Sequence, residues 1–173
     1  MIKLFLLILI SFSIFSNEEI EEVITTGTLL KESESKFSPV EIITAEKFDE
    51  IGVSTIAEIS KYLSASSGSH FQTNTMDGVD QGMSAITLRG LDHASTLLLI
   101  NSKRQTFTGT PSYNGEGYVD ANIIPKIALT KMEILKEGAT SVYGSDAVAG
   151  VINFITVKKF SGYKFCLLYT SDA

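Results

Sequence analysis

The chain has 173 residues, 44% hydrophobic and 20% charged, with a formal net charge of −6. That length holds one ordinary domain with a tail, and the apolar share supplies a core. There is no Lys/Arg cluster of the kind a nucleic-acid binder or a membrane-surface patch presents, so neither partner is expected. One cysteine, Cys166, and two isolated histidines, His70 and His93, build neither a disulfide framework nor a structural zinc site.

Residues 1–16 read as a secretory signal peptide. Lys3 supplies the positive end, Leu4 to Ile10 is an unbroken apolar run, and Ser11, Ser13 and Ser16 follow. The run is short against the about 20 residues of a membrane span. Cleavage is expected after Ser16, with Ser13 the next candidate. Residues 17–36 form a polar, acidic segment whose low hydrophobicity predicts a flexible tail. Its one apolar island is Val23-Ile24-Thr25-Thr26, closed by Gly27. The island has high β-propensity. Two readings stand side by side: an ordinary linker, or a strand that adds to the sheet edge of a partner.

Ordered structure is expected from Phe37. Val40 to Ile43 predicts a short strand. Thr44 is placed to cap a helical turn over 45–51, which Gly52 ends. Thr55-Ile56-Ala57-Glu58 has the spacing of a capping box, and Ile56, Ile59 and Leu63 then share one helical face that points to the core. Residues 64–84 form a long polar loop. Ala85 to Leu88 predicts a strand ending at Arg89-Gly90. Thr96 to Ile100 is continuously apolar and reads as a strand buried on both faces. It turns at Asn101-Ser102 into Lys103–Phe107. Ser is a poor substitute for Gly at the second turn position, so a loop longer than two residues is expected. Residues 108–118 form a second loop carrying Tyr113 and Tyr118. Pro125 biases Ile124 away from helix.

The organising stretch is Met132 to Thr156. An apolar strand, Met132 to Leu135, breaks into small residues with Gly138, Gly144 and Gly150, and a β-branched run, Val151 to Thr156, follows. Phe160 to Phe165 has the character of one more strand. The fold class expected is α+β: a small domain over 37–158 with a mixed β-sheet and short helices, preceded by a flexible tail.

No catalytic chemistry is visible. The spacing around Gly144-Ser145-Asp146 is not that of a hydrolase elbow, and no Gly-Lys-Ser/Thr follows Gly138 to Gly144 as a phosphate loop requires. No catalytic residue, metal ligand or cofactor is nominated, and an enzyme is not expected.

Several stretches together resemble the N-terminal plug domain of TonB-dependent outer-membrane receptors, over roughly residues 20–158. Val23-Ile24-Thr25-Thr26-Gly27, just behind the signal, looks like the TonB box. Ser38 to Thr44 looks like the entrance to the plug. Ile86-Thr87-Leu88-Arg89-Gly90 is similar to the Arg-Gly strand end of the family. Leu97 to Arg104 resembles its Asn-Gly hairpin, with Ser102 where glycine is usual. Ile123-Ile124-Pro125, Glu133 to Gly138 and Tyr143 to Asn153 complete the set in order. The resemblance marks Arg89, Gly90, Gly138, Tyr143, Gly144, Gly150 and Asn153 as the structural plug motif.

That resemblance implies a plug filling the lumen of a 22-stranded transmembrane β-barrel in the outer membrane of a Gram-negative bacterium, with its tail in the periplasm. It implies active uptake of a scarce nutrient: siderophore-bound iron, haem, cobalamin or a saccharide. The implied partners are the TonB protein of the TonB–ExbB–ExbD complex, the plug's own barrel and the small-molecule nutrient. Tyr113 and Tyr118 are the candidate substrate contacts, set against packing on the barrel wall. Fifteen residues follow Lys158, too few for such a barrel. Residues 159–173 are therefore read as a truncated barrel start or a non-native end, and the chain as a fragment of a longer receptor. The competing reading is a free periplasmic binding or signalling module that uses the plug fold without transport.

Overall fold

A computed structural model describes residues 40–67, 82, 84–112, 115–137 and 139–163. Among the described residues, five strands form one sheet: β1 (Val40–Thr44), β2 (Thr96–Ile100), β3 (Lys103–Arg104), β4 (Leu129–Leu135) and β5 (Gly150–Thr156). Their order across the sheet is β1-β4-β5-β2-β3. β2 and β5 pair parallel, and the other pairs are antiparallel. The mixed sheet expected from sequence is present, with helical pieces of three to seven residues around it.

The three central strands are buried on both faces. Leu98, Met132, Ile134, Ile152 and Phe154 face the larger core, where Phe48, Ile56, Ile59, Ile86 and Leu88 cover them. Leu97, Leu99, Leu135 and Val151 face a second cluster closed by Ala139 and Ala147. Strand residues alternate between faces, so a run of apolar residues stays dry only when both faces are covered. The helix α1 (Ala45–Ile51) covers the first face through Phe48. The segment between β4 and β5 covers the second. It contains the single turn α2 (Thr140–Tyr143) and a 3₁₀ turn, Ser145–Ala147.

Helix boundaries follow the sequence signals with two differences. Thr44 occupies the cap position of α1, yet its side chain makes no capping hydrogen bond. Gly52 ends the helix at φ 75°, its N–H donating to the carbonyls of Phe48 and Asp49. The capping box at Thr55 turns out to open a 3₁₀ helix, Ala57–Tyr62, rather than an α-helix. Glu58 does reach back, as a box requires, but its main partner is Ser54. Oε2 accepts from the Ser54 N–H at 2.8 Å, the Ser54 hydroxyl at 2.7 Å and the Thr55 N–H at 3.4 Å. These bonds, the Ser54 hydroxyl foremost, hold the Glu58 carboxyl below its ordinary pKa. Ile56, Ile59 and Leu63 are all buried, as their spacing predicts.

Three strand expectations are corrected. Ala85 to Leu88 is extended, but its link to residues 60–67 is only an isolated bridge between Ser66 and Leu88. Its polar groups are taken elsewhere: the Leu88 N–H donates to the Thr96 hydroxyl, the Thr87 hydroxyl donates to the Ser67 carbonyl, and the Arg89 N–H donates to the Ala65 carbonyl. Lys103 to Phe107 keeps ladder geometry over Lys103–Arg104 alone. Residues 160–163 carry no strand, with Phe160 and Tyr163 exposed, and Lys164 and Phe165 lie outside the described residues.

The turn after β2 also differs from expectation. It is two residues long, and Asn101 and Ser102 both take positive φ, 50° and 65°. Asn153, fully buried on β5, is what holds a serine there. Its Oδ1 accepts the Ser102 N–H at 2.9 Å. Asn101 is held in the same way by Thr156, whose N–H donates to Asn101 Oδ1 at 3.0 Å. Side-chain hydrogen bonds thus replace the conformational freedom that glycine would supply.

Candidate functional site

The plug-motif residues that are described gather around the β4–β5 segment. Arg89 stands at φ 57° and Gly90 at φ 67°, so the chain reverses sharply at the end of the extended 84–88 stretch. From there the Arg89 guanidinium crosses to the residues just before β5. Its Nε donates to the Ala149 carbonyl at 3.1 Å, and a second nitrogen donates to the Val148 carbonyl. Gly150 opens β5 at φ 142°. A Cβ there would sit 2.6 Å from the Leu135 carbonyl oxygen and 2.8 Å from Leu88 Cδ1. Glycine is required for conformation and for close approach at once.

Gly144 stands between the two helical turns at φ 89°. Arg104, on the far edge strand β3, closes over it. Its guanidinium bonds Asp146 at 2.6 Å and the carbonyl of Tyr143. Arg104 and Arg89 therefore pin the middle and the C-terminal end of the β4–β5 segment. Sequence reading singled out Arg89 but treated Arg104 only as part of a hairpin. A planar guanidinium can reach a carboxylate and a carbonyl together, and nothing in the local pattern announces a partner 42 residues away.

A second missed feature is Glu133. It is fully buried in β4 and pairs with Lys131 at 3.0 Å. Spacing of two along a strand places both on one face, a signal that was present in Lys131-Met132-Glu133. Across the ladder Glu133 stands opposite Asn153. A polar pair thus sits at the centre of an otherwise apolar sheet, flanked in register by Ile42 and Leu99.

Tyr118 is half-buried, and its carbonyl accepts from the Thr108 N–H at 2.9 Å. The 108–118 loop therefore closes on itself. Tyr113, Gly138 and the Val23–Gly27 segment lie outside the described residues. Among the described residues, no three His, Cys, Asp or Glu side chains group to hold a metal, and no helix is long and apolar enough to cross a membrane. The arrangement is one of braces and turns: guanidinium forks, buried amides and glycines that lock a loop segment onto a sheet.

The family model described as TonB-dependent Receptor Plug Domain matches residues 33–151. The chain belongs to this plug-domain family. Among curated relatives, the plug is 30% identical over 123 residues to the probable TonB-dependent siderophore receptor PirA of Acinetobacter baumannii, covering 69% of this chain and 16% of that protein. It is 25% identical over 138 residues to the vitamin B12 transporter BtuB of Vibrio vulnificus, covering 79% of this chain and 21% of that protein. Among solved structures, a mutant of the ferric enterobactin receptor PfeA of Pseudomonas aeruginosa superposes with a TM-score of 0.57 at 27% identity. That likeness covers 72% of this chain and 18% of the receptor. The plug thus spans about a fifth or less of the relatives it matches.

Proposed function

We propose that this plug serves an outer-membrane receptor that actively takes up a scarce nutrient and draws its energy from TonB. The observation that carries this reading is the plug-family match over residues 33–151. Relatives named for siderophore and vitamin B12 uptake support it. The substrate classes are siderophore-bound iron, haem, cobalamin or a saccharide. The plug lies inside the barrel lumen, with residues 17–36 reaching into the periplasm. Its work is binding and displacement, not bond making.

In this reading Val23-Ile24-Thr25-Thr26-Gly27 is the TonB box. It joins TonB by strand addition, in which backbone hydrogen bonds supply affinity and alternate side chains supply specificity. A pull on the tail arrives at β1, which among the described strands pairs with β4. Load thus enters the fold through the β1–β4 ladder. The braces at Arg89 and Arg104 keep the β4–β5 segment in place while β1 is strained. Arg89, Gly90, Gly138, Tyr143, Gly144, Gly150 and Asn153 act as this structural scaffold, and Tyr113 and Tyr118 contact the nutrient on the outer side.

The decisive variant is Ile24→Pro in the full-length receptor. Proline removes a backbone donor and locks φ, so cross-linking to TonB and nutrient uptake should both be abolished, with outer-membrane insertion unchanged. Wild-type cross-linking and uptake in this variant would overturn the assignment of the box.

A further inference from the structure

The described lysines and arginines divide unevenly. Lys47, Lys61, Arg104, Lys126, Lys131 and Lys136 each pair with a carboxylate of the fold. Arg89 is spent on the Val148 and Ala149 carbonyls. Among the described residues, only the ammonium groups of Lys103, Lys158 and Lys159 are left without a partner, and all three residues are exposed. The chain holds 20 acidic against 14 basic residues, so a shortage of carboxylates is not the reason.

The fold brings these three lysines to one corner. Lys103 opens β3 just after the Asn101–Ser102 turn, and Lys158 and Lys159 follow the end of β5 at Thr156. Asn101 and Thr156 are joined twice: Asn101 Nδ2 donates to Thr156 Oγ1 at 2.8 Å, and the Thr156 N–H donates to Asn101 Oδ1 at 3.0 Å. The Asn101 N–H adds a third bond, to the Phe154 carbonyl at 2.9 Å. Each lysine lies two or three residues from this junction, at most about 10 Å of chain. Like charges held so near repel one another, and an opposing negative surface turns that repulsion into attraction. The β1 side of the sheet differs, because its charges are matched within the fold: Glu41 with Lys136 at 2.6 Å, and Lys47 with Glu50 at 2.8 Å.

We propose that this corner is an electrostatic anchor, seated on aspartate and glutamate side chains of the receptor's own barrel wall. The proposal rests on the reading that a barrel encloses the plug. Barrel interiors are polar, and a wall joined to the plug through the chain beyond Lys159 meets the corner at high effective concentration. Lysine suits such a seat. Its ammonium, on a flexible stem, holds a carboxylate across a wet contact without a fixed geometry. The anchored corner and the self-neutralised β1 side then divide the plug. β5 and the β2–β3 turn stay on the wall while load enters through the β1–β4 ladder.

The test uses the full-length receptor in isolated outer membranes. A water-soluble carbodiimide joins an ammonium to a touching carboxylate as an amide, the reagent taking up the water lost. Mass spectrometry of the digested receptor should find Lys103, Lys158 or Lys159 joined to Asp or Glu of the barrel. Links only to Glu18–Glu34 of the tail, to a second copy or to another protein overturn the anchor, and so does the absence of any link. A second measurement replaces all three lysines by Gln. Hydrogen exchange over residues 100–104 and 154–158 should then speed up about tenfold. The matching triple Arg variant, which keeps the charge, should stay at the wild-type rate. In about 1 M salt, where charges are screened beyond about 3 Å, wild type should exchange like the Gln variant. Equal exchange in wild type and the Gln variant at low salt rejects the anchor, because these lysines make no ion pair within the described plug. Barrel links in a receptor whose uptake ignores Ile24→Pro would leave the anchor standing and remove the TonB-box reading. Uptake abolished by Ile24→Pro without barrel links would do the reverse.

Discussion

Gly150 and Gly52 show how differently two glycines answer to substitution. Both have positive φ, yet a Cβ at Gly52 meets nothing within 4 Å, while one at Gly150 overlaps Leu135 and Leu88. Gly52→Ala should cost about 1 kcal/mol, the left-handed penalty alone. Gly150→Ala adds steric overlap inside a packed sheet and should cost about 3 kcal/mol or more. Hydrogen exchange on the full-length receptor separates them: β5 amides should lose protection about a hundredfold in Gly150→Ala and little in Gly52→Ala.

Glu58 makes a pH-dependent contribution at the same scale. Its folded-state pKa is lowered from 4.5, first by the Ser54 hydroxyl and then by the backbone N–H groups, against a raising effect of burial. A depressed carboxyl stabilises fully above its ordinary pKa and loses that contribution as pH falls through the folded value. Exchange protection over residues 54–63 should therefore drop on acidification below pH 4.5. Glu58→Gln should start less protected and lack that drop. An identical pH profile in wild type and variant would remove the carboxylate from this role.

Among elements, the β4–β5 segment depends on arginines from outside it. Arg89→Ala leaves the Val148 and Ala149 carbonyls without their guanidinium donor, which should cost about 1–3 kcal/mol. Arg89→Gly loses the same bonds but relieves φ 57°, so it should be about 1 kcal/mol more stable than Arg89→Ala. Exchange protection of β5 in the two variants measures the difference. The Arg104–Asp146 pair is about half exposed at each end and is expected to add 1 kcal/mol at most, about the ceiling for surface pairs.

Much at this scale was legible in the chain. Apolar runs placed β2 and β5, Gly52 marked the end of α1, and Pro125 kept Ile124 extended. The turn at Asn101-Ser102 departs from its local pattern, because its backbone is held by Asn153 and Thr156, more than fifty residues on. Ala85 to Leu88 had strand character, yet its hydrogen bonds go to a threonine hydroxyl and to loop backbone. Local propensity cannot report which distant group will claim a given N–H.

For the whole molecule, the described part of the plug is a small sheet whose central strands are covered on both faces. Substrate recognition is expected to involve the 108–118 loop. Replacing Tyr113 and Tyr118 by Ala in the full-length receptor should weaken nutrient binding about tenfold, the loss of roughly 1.4 kcal/mol of contact. Equal affinity by equilibrium binding would instead make both tyrosines packing residues against the barrel.

By itself, the sequence determined the family, through an ordered set of short motifs, and the class of mixed sheet with short helices. Those features depend on residue type and spacing, which any reader of the chain possesses. Only the tertiary structure decided the order of the described strands, that Glu133 is buried beside Lys131, and that Arg104 and Arg89 hold the middle and the C-terminal end of the β4–β5 segment. Each of these depends on the order in which strands pair and on contacts between residues far apart in the chain, and a one-dimensional pattern carries neither.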